Sequence, residues 1–171
     1  MSENTFGQDL EFLKKHVGTI VLSNDEGAAI VVVPQYQGRT MTSTSNGAAG
    51  KSYGYINYDC ISSDVHDPQI NLYGGEDRMW ISPEGGQFSV FFEPGAEMEY
   101  ANWRTPSVLD TEPFDLVRQD AESASFTQQA RLVNWSNTEF RIRMDRDVVL
   151  LNRAAAGENL EVEQSDLDGL N

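Results

Sequence analysis

The chain has 171 residues, the size of one ordinary domain, and its 39% hydrophobic and 10% aromatic content excludes wholesale disorder. It contains 12 basic and 27 acidic residues, which gives a formal net charge of −15. Binding to a phosphate backbone or to an anionic membrane surface requires a basic footprint, so we expect neither nucleic acid nor a membrane as partner.

Composition also limits redox chemistry and location. The only cysteine, Cys60, excludes an intramolecular disulfide and a Cys-rich zinc site. The N-terminal residues show no basic segment followed by an apolar one, so no signal peptide is visible and the sequence as written predicts a cytoplasmic protein. A periplasmic or secreted protein whose leader had been removed would have the same appearance.

The first predicted element is a short helix. Thr5 and Gln8 have the spacing of a capping box, in which each side chain satisfies the free backbone N–H of the other residue. An apolar stripe with helical spacing follows and consists of Phe6, Leu10, Leu13 and Val17. Gly18 marks the point at which the helix is expected to end.

The rest of the pattern favours β structure. Strands are predicted, in chain order, at residues 19–22, 28–33, 39–45, 53–58, 87–92, 125–133 and 138–145. The run 28–33 is apolar throughout, which is typical of a strand buried on both faces. The last two runs alternate apolar and polar residues around a short loop, which predicts an antiparallel hairpin with one solvated face.

This pattern predicts a mainly β protein, a domain of antiparallel strands over residues 1–153 with one short N-terminal helix. The segment 46–78 is dense in Gly, Asn, Asp and Tyr and predicts long loops. Residues 154–171 carry several acidic side chains without a compensating base after Arg153. That composition predicts a solvated, loosely ordered C-terminal segment.

The densest group of reactive side chains lies in residues 71–87. Its members are Tyr73, Glu76, Asp77, Arg78, Trp80, Glu84 and Gln87. The guanidinium fork of Arg78 suits vicinal hydroxyls or a carboxylate, and Trp80 could stack on a pyranose face. The structural alternative is that Arg78 pairs with a neighbouring acid to hold the loop and that Trp80 belongs to the core.

Two further side chains are weaker candidates. His66 could act as a general acid, or as a ligand together with Asp64 or Asp67, and the alternative is an exposed loop histidine. Arg39 follows Gly38 at the start of a strand, where it would be either a substrate ligand or a surface arginine of a hairpin. The chain has no GxSxG, P-loop, GxGxxG or HExxH motif, so neither a cofactor nor a metal site is predicted.

Four motifs of this sequence resemble a known family when they are taken together. They are Val33-Pro-Gln-Tyr-Gln-Gly-Arg-Thr-Met-Thr-Ser-Thr44, Tyr53-Gly-Tyr-Ile-Asn57, Tyr73-Gly-Gly-Glu-Asp-Arg-Met-Trp80 and Pro83-Glu-Gly-Gly-Gln-Phe88. This order resembles a bacterial family of unassigned function whose architecture is similar to the galactose-mutarotase-like supersandwich. The resemblance extends from the first helix to Leu151 and implies an antiparallel β-sandwich with a concave face that binds carbohydrate.

The resemblance also implies a length. Members of that family are about twice as long as this chain, so we expect a sandwich or only its N-terminal half, with exposed sheet edges that favour self-association. In the similar aldose epimerases a carboxylate base from the C-terminal half removes the anomeric proton, while a histidine protonates the ring oxygen.

The expected function is therefore that of a carbohydrate-binding or carbohydrate-active protein with acid/base chemistry on a sugar ring. Its candidate catalytic residues are Glu76, Asp77, Arg78, Glu84 and His66. Its candidate substrate-binding residues are Arg39, Tyr73, Trp80 and Gln87. A sugar-binding module without catalysis and an inactive fragment of a larger sandwich protein are the alternatives.

Overall fold

The first helix, α1 (Phe6–His16), begins directly after its predicted cap in the computed structural model, which describes residues 4–63 and 65–167. The Thr5 hydroxyl accepts a hydrogen bond from the Gln8 N–H at 3.3 Å, and the Gln8 side chain accepts one from the Thr5 N–H at 2.9 Å. This capping box supplies an acceptor to the Thr5 N–H and a second acceptor to the Gln8 N–H, which also donates to the Thr5 carbonyl at 3.0 Å, and it confirms the predicted start.

Three antiparallel strands follow, in the order β1 (Ile20–Ser23), β2 (Ala29–Val33) and β3 (Arg39–Thr44). The central strand β2 is buried on both faces, because Val32 packs into one hydrophobic cluster and Val31 and Val33 pack into another. The prediction from its uninterrupted apolar run is confirmed.

The loop-rich middle contains only short elements. Strand β4 (Tyr55–Ile56) pairs with β5 (Gly74–Gly75), and helix α2 (Tyr58–Ser62) follows β4 directly. Three-residue 3₁₀ turns occur at Tyr100–Asn102 and Ser107–Leu109.

A second three-stranded sheet consists of β6 (Asp115–Gln119), β7 (Ser123–Val133) and β8 (Glu139–Val149). Strands β7 and β8 form the predicted hairpin in continuous antiparallel register. Strand β6, which was not predicted, lies at the edge of this sheet and is exposed along its whole length.

Two hydrophobic cores lie on opposite faces of β2. The first core consists of Ile20, Leu22, Val32, Phe91, Phe92, Val108, Leu109, Phe114, Ala124, Phe126 and Val148. The second core consists of Phe6, Leu13, Ala29, Val31, Val33, Tyr36, Met41, Ile56, Ile61 and Tyr73. The first core thus joins the two larger sheets, and the second joins α1 and α2 to the first sheet.

The protein is a mixed α/β fold with mostly antiparallel strands in three small sheets, so the prediction of one helix and a mainly β chain is incomplete. The described residues contain two further helices, α2 and α3 (Arg153–Leu160). Each begins at an asparagine whose side chain accepts a backbone hydrogen bond, Asn57 from the Cys60 N–H and Asn152 from the Ala155 N–H. Both helices are short, and the apolar stripe that revealed α1 is absent from them.

Helix α3 lies in the acidic C-terminal segment, of which residues 168–171 are outside the described residues. Among residues 4–63 and 65–167, no helix has the length and apolar character needed to cross a membrane.

The strand predicted at residues 87–92 is absent, and this prediction is wrong. The neighbouring Phe91 and Phe92 both enter the first core, whereas successive side chains of a strand point to opposite faces. The Ser89 N–H bonds the Gly86 carbonyl in a turn, and the Ser89 carbonyl accepts from Trp135 N–H at 2.7 Å. The side chains of Phe91 and Phe92 are therefore buried in an irregular loop, whereas Phe88 is exposed.

We predict that Gly54→Ala lowers the free energy of unfolding by about 2 kcal/mol. A Cβ at Gly54 would overlap the Met41 carbonyl oxygen and would lie 2.8 Å from the Thr42 Cα, so β3 would have to move. Gly85→Ala is the matched control, because its Cβ would meet no atom within 4 Å. Urea unfolding of both variants measures the difference, and equal stabilities would show that the chain does not approach β3 so closely.

Candidate functional site

A buried carboxylate organises the region that contains the candidate residues. Asp110 is only 4% exposed. It accepts from the Asn71 backbone N–H at 3.0 Å, from the Asn71 side-chain amide at 2.7 Å and from the Arg78 guanidinium at 2.9 Å. These bonds join two loop segments that are separated by more than thirty residues.

The remaining bonds of Arg78 are also internal. Its guanidinium donates to the carbonyl of Asn71 at 3.3 Å and to the carbonyl of Leu109 at 3.1 Å. The guanidinium carbon lies 4.7 Å from the centre of the Trp80 ring, within the range of a cation–π contact. Arg78 thus holds its loop, as the structural alternative proposed, although its acidic partner is distant in sequence.

Trp80 connects this ion pair to an aromatic surface. Its indole N–H donates to a Glu84 carboxylate oxygen at 2.7 Å, and its ring packs against Phe91 of the first core. Trp103 stacks on Phe91 at 5.4 Å and on Tyr100 at 6.3 Å between ring centres. Three of the predicted residues, Arg78, Trp80 and Glu84, therefore form one continuous chain of contacts.

An open groove of about 380 Å³ lies beside these rings, and we call it the aromatic groove. It is lined by Ile70, Glu84, Phe92, Met98, Glu99, Tyr100 and Trp103. Tyr100 is 70% exposed, and its ring is within 15° of parallel to that of Trp103. The groove thus combines flat apolar faces with two carboxylates, Glu84 and Glu99.

Arg39 lies away from this groove and inside the protein. It is 2% exposed and donates to the Gly74 carbonyl at 2.8 Å and to the Gln37 side chain at 3.3 Å. Its Nε has no hydrogen-bond partner among the described residues. Burial, and then repulsion from Arg78, lowers the pKa of Arg39 to about 10. The alternative of a surface arginine on a hairpin is therefore wrong.

The carboxylates of Glu76 and Asp77 form hydrogen bonds and an ion pair with strands β3 and β8. A Glu76 carboxylate oxygen accepts from the Ser43 hydroxyl at 2.7 Å. One Asp77 oxygen accepts from the Thr40 N–H at 3.0 Å, and the other pairs with Arg146 of β8. These bonds connect the segment after β5 to β3 and β8, and neither carboxylate is bonded to Glu84.

The other predicted residues are dispersed. Gln87 is exposed, and its backbone carbonyl accepts from the Ser136 hydroxyl at 2.8 Å. Exposed His66 and buried Tyr73 line a different cavity, which shares no lining residue with the aromatic groove. Asp67 caps a turn by accepting from the Gln69 and Ile70 N–H groups, which lowers the pKa of its carboxyl. Asp64 lies outside the described residues.

Sequence reasoning missed Glu99, Tyr100 and Trp103, which line the aromatic groove together with the predicted Glu84. The run 97–103 does contain acidic and aromatic side chains, and this composition is the signal that could have identified it. In the described part of the chain, no group of three or more His, Cys, Asp or Glu side chains could hold a metal ion.

Comparison with known proteins assigns the chain to a family. The model of a family of unknown function, DUF6786, matches residues 4–168, so the chain belongs to that family. No curated protein and no solved structure matches the chain. The comparisons show no link to galactose mutarotase.

We predict that Asp110→Ala lowers the free energy of unfolding by about 3 kcal/mol, because it leaves the mostly buried Arg78 guanidinium without its counter-charge. The control is Glu11→Ala, which removes an exposed carboxylate 3.5 Å from Lys14 and should cost less than about 1 kcal/mol. Denaturant titrations compare the two, and a similar loss in both would argue against Asp110 as an organising group.

Proposed function

We propose that this protein binds a neutral carbohydrate in the aromatic groove. The observation that carries this proposal is the pairing of the nearly parallel faces of Tyr100 and Trp103 with the carboxylates of Glu84 and Glu99 in one groove. The C–H face of a sugar ring packs on an aromatic plane, and its hydroxyl groups donate to carboxylates.

The charge of the protein supports an uncharged ligand. A formal net charge of −15 repels polyanions, and two of the lining residues of the groove are themselves acidic. The groove volume of about 380 Å³ lies near the lower end of the range of small-molecule pockets. A short oligosaccharide or a single sugar unit fits these properties.

Of the three functional alternatives, the groove favours a sugar-binding module. Glu84 is held as a hydrogen-bond acceptor by the Trp80 N–H, and the described lining residues include no histidine that could protonate a ring oxygen. Epimerase-like catalysis and a galactose-mutarotase-like sandwich remain proposals that only the motif resemblance supports.

We also propose self-association through the second sheet. The edge strand β6 exposes the side chains of Leu116 and Val117 together with an unpaired backbone edge, which can recruit a strand of another chain.

Val117→Lys should weaken such an association about tenfold, because it places a charge where an apolar side chain would be buried. Sedimentation velocity over a range of protein concentrations measures the association. Lys14→Ala on the exposed face of α1 is the control, and a concentration-independent monomer in the unmodified protein would contradict the proposal.

For carbohydrate binding, Tyr100→Ala should weaken the affinity at least tenfold through loss of the stacking face, and Glu84→Gln should weaken it less because the amide can still accept a hydrogen bond. Calorimetric titration with neutral mono- and oligosaccharides measures both effects. Tyr53→Ala removes a similarly exposed tyrosine outside the groove and should leave binding unchanged.

Equal losses in Tyr100→Ala and Tyr53→Ala, or no binding by the unmodified protein, would refute the sugar-binding proposal. An NMR assay of the exchange between the α and β anomers of galactose distinguishes a non-catalytic sugar-binding module from an epimerase-like enzyme. We expect the protein to leave the exchange rate at its buffer value, and acceleration would establish the catalytic alternative.

A further inference from the structure

A second cavity, of about 300 Å³, lies between the end of α1, the turn after β2, helix α2 and the segment that leads into β5. We call it the tyrosine cavity. The lining residues that bear on its chemistry are His16, Tyr36, Cys60, His66, Tyr73 and Thr111. It adjoins the second core, whereas the aromatic groove adjoins the first.

Two mostly buried tyrosines line this cavity, and their hydroxyls have no partner among the described residues. Tyr36 is 6% exposed and Tyr73 is 5% exposed, and their rings stack with centres 3.9 Å apart and planes within 13°. Neither phenol oxygen makes a hydrogen bond to another described residue, whereas the Tyr58 hydroxyl donates to Asp9. Because both tyrosines line the cavity, a molecule bound there can supply the hydrogen-bond partner that the protein does not.

The described lining of the cavity also carries no side chain of fixed charge, since it includes no Lys, Arg, Asp or Glu. Burial raises the pKa of Tyr36 and Cys60, and it raises the pKa of Tyr73 to about 12, so all three groups keep their protons at neutral pH. Beyond the lining, Arg39 and Asp110 act on Tyr73 with opposite sign. An anion would find no lysine or arginine to pair with in this lining, and a cation would find no carboxylate.

We propose that the tyrosine cavity is a second binding site, which takes a small uncharged polyhydroxylated molecule no larger than a monosaccharide. The hydroxyls of Tyr36 and Tyr73 donate to or accept from its oxygen atoms, and the imidazoles of His16 and His66 contribute at the exposed side. This proposal does not depend on carbohydrate binding in the aromatic groove.

The free protein provides the first test. Tyr36→Phe and Tyr73→Phe each remove a hydroxyl that makes no hydrogen bond to another described residue, so the thermal midpoint should stay unchanged or rise. Tyr58→Phe is the matched control and should lower the midpoint, because it leaves the Asp9 carboxylate without the phenol donor. A fall in both cavity variants as large as that in Tyr58→Phe would overturn the proposal, since the hydroxyls would then be satisfied within the protein.

Ligand binding provides the second test, with glycerol, xylose and galactose as probes. Cys60 lines the cavity and is the only cysteine, so its rate of alkylation by iodoacetamide reports occupancy. We expect at least one probe to slow alkylation. Tyr36→Phe and Tyr73→Phe should raise the probe concentration needed at least tenfold, and Tyr100→Ala in the aromatic groove should leave it unchanged.

Two results would refute the tyrosine cavity as a site. One is alkylation that no probe slows in the unmodified protein. The other is protection that is lost in Tyr100→Ala and retained in both phenylalanine variants, a result that would leave the carbohydrate proposal standing.

Discussion

The hydrogen bonds and ion pair of the buried Asp110 carboxylate are the interaction on which the irregular segment between β5 and β6 depends. Between β5 and β6 the described chain has no regular element longer than a three-residue turn, so backbone hydrogen bonds alone cannot fix its shape. Asp110 supplies that constraint, because a charge removed from water must be paired, and its donors come from Asn71 and Arg78. With Arg78 fixed, the guanidinium lies over Trp80, and the Trp80 N–H holds Glu84 at the edge of the aromatic groove.

Strand β2 imposes a second constraint, since its valines are buried on both faces and divide the interior into two cores. The first core contributes to the aromatic groove and the second to the tyrosine cavity. Phe92 of the first core lines the aromatic groove, and Tyr36 and Tyr73 of the second core line the tyrosine cavity. The two surfaces differ in chemistry, because the groove carries carboxylates at an exposed aromatic face and the cavity presents neutral hydroxyls from a buried aromatic pair.

Elements whose information is local were predictable. The capping box and apolar stripe gave α1, the uninterrupted apolar run gave β2, and alternation gave the β7–β8 hairpin. Prediction failed where burial in the tertiary structure does not follow the two-residue period of a strand. This is the case at residues 87–92, where two adjacent phenylalanines enter one core. It also failed for α2, whose five residues are too few to show a helical stripe.

The sequence by itself determined the helix, the two-faced strand, the hairpin, the membership in a family and the group of reactive residues in 71–87, because each depends on residue types at short spacing. Trp80 and Glu84 are also only four positions apart, and the Trp80 indole N–H donates a hydrogen bond to the Glu84 carboxylate. Only the tertiary structure decided that Arg78 pairs with Asp110, that Arg39 is buried, and that Tyr36 stacks on Tyr73. Those contacts join residues more than thirty positions apart. They are brought together by the folding of the chain around β2, and no local sequence pattern encodes that folding.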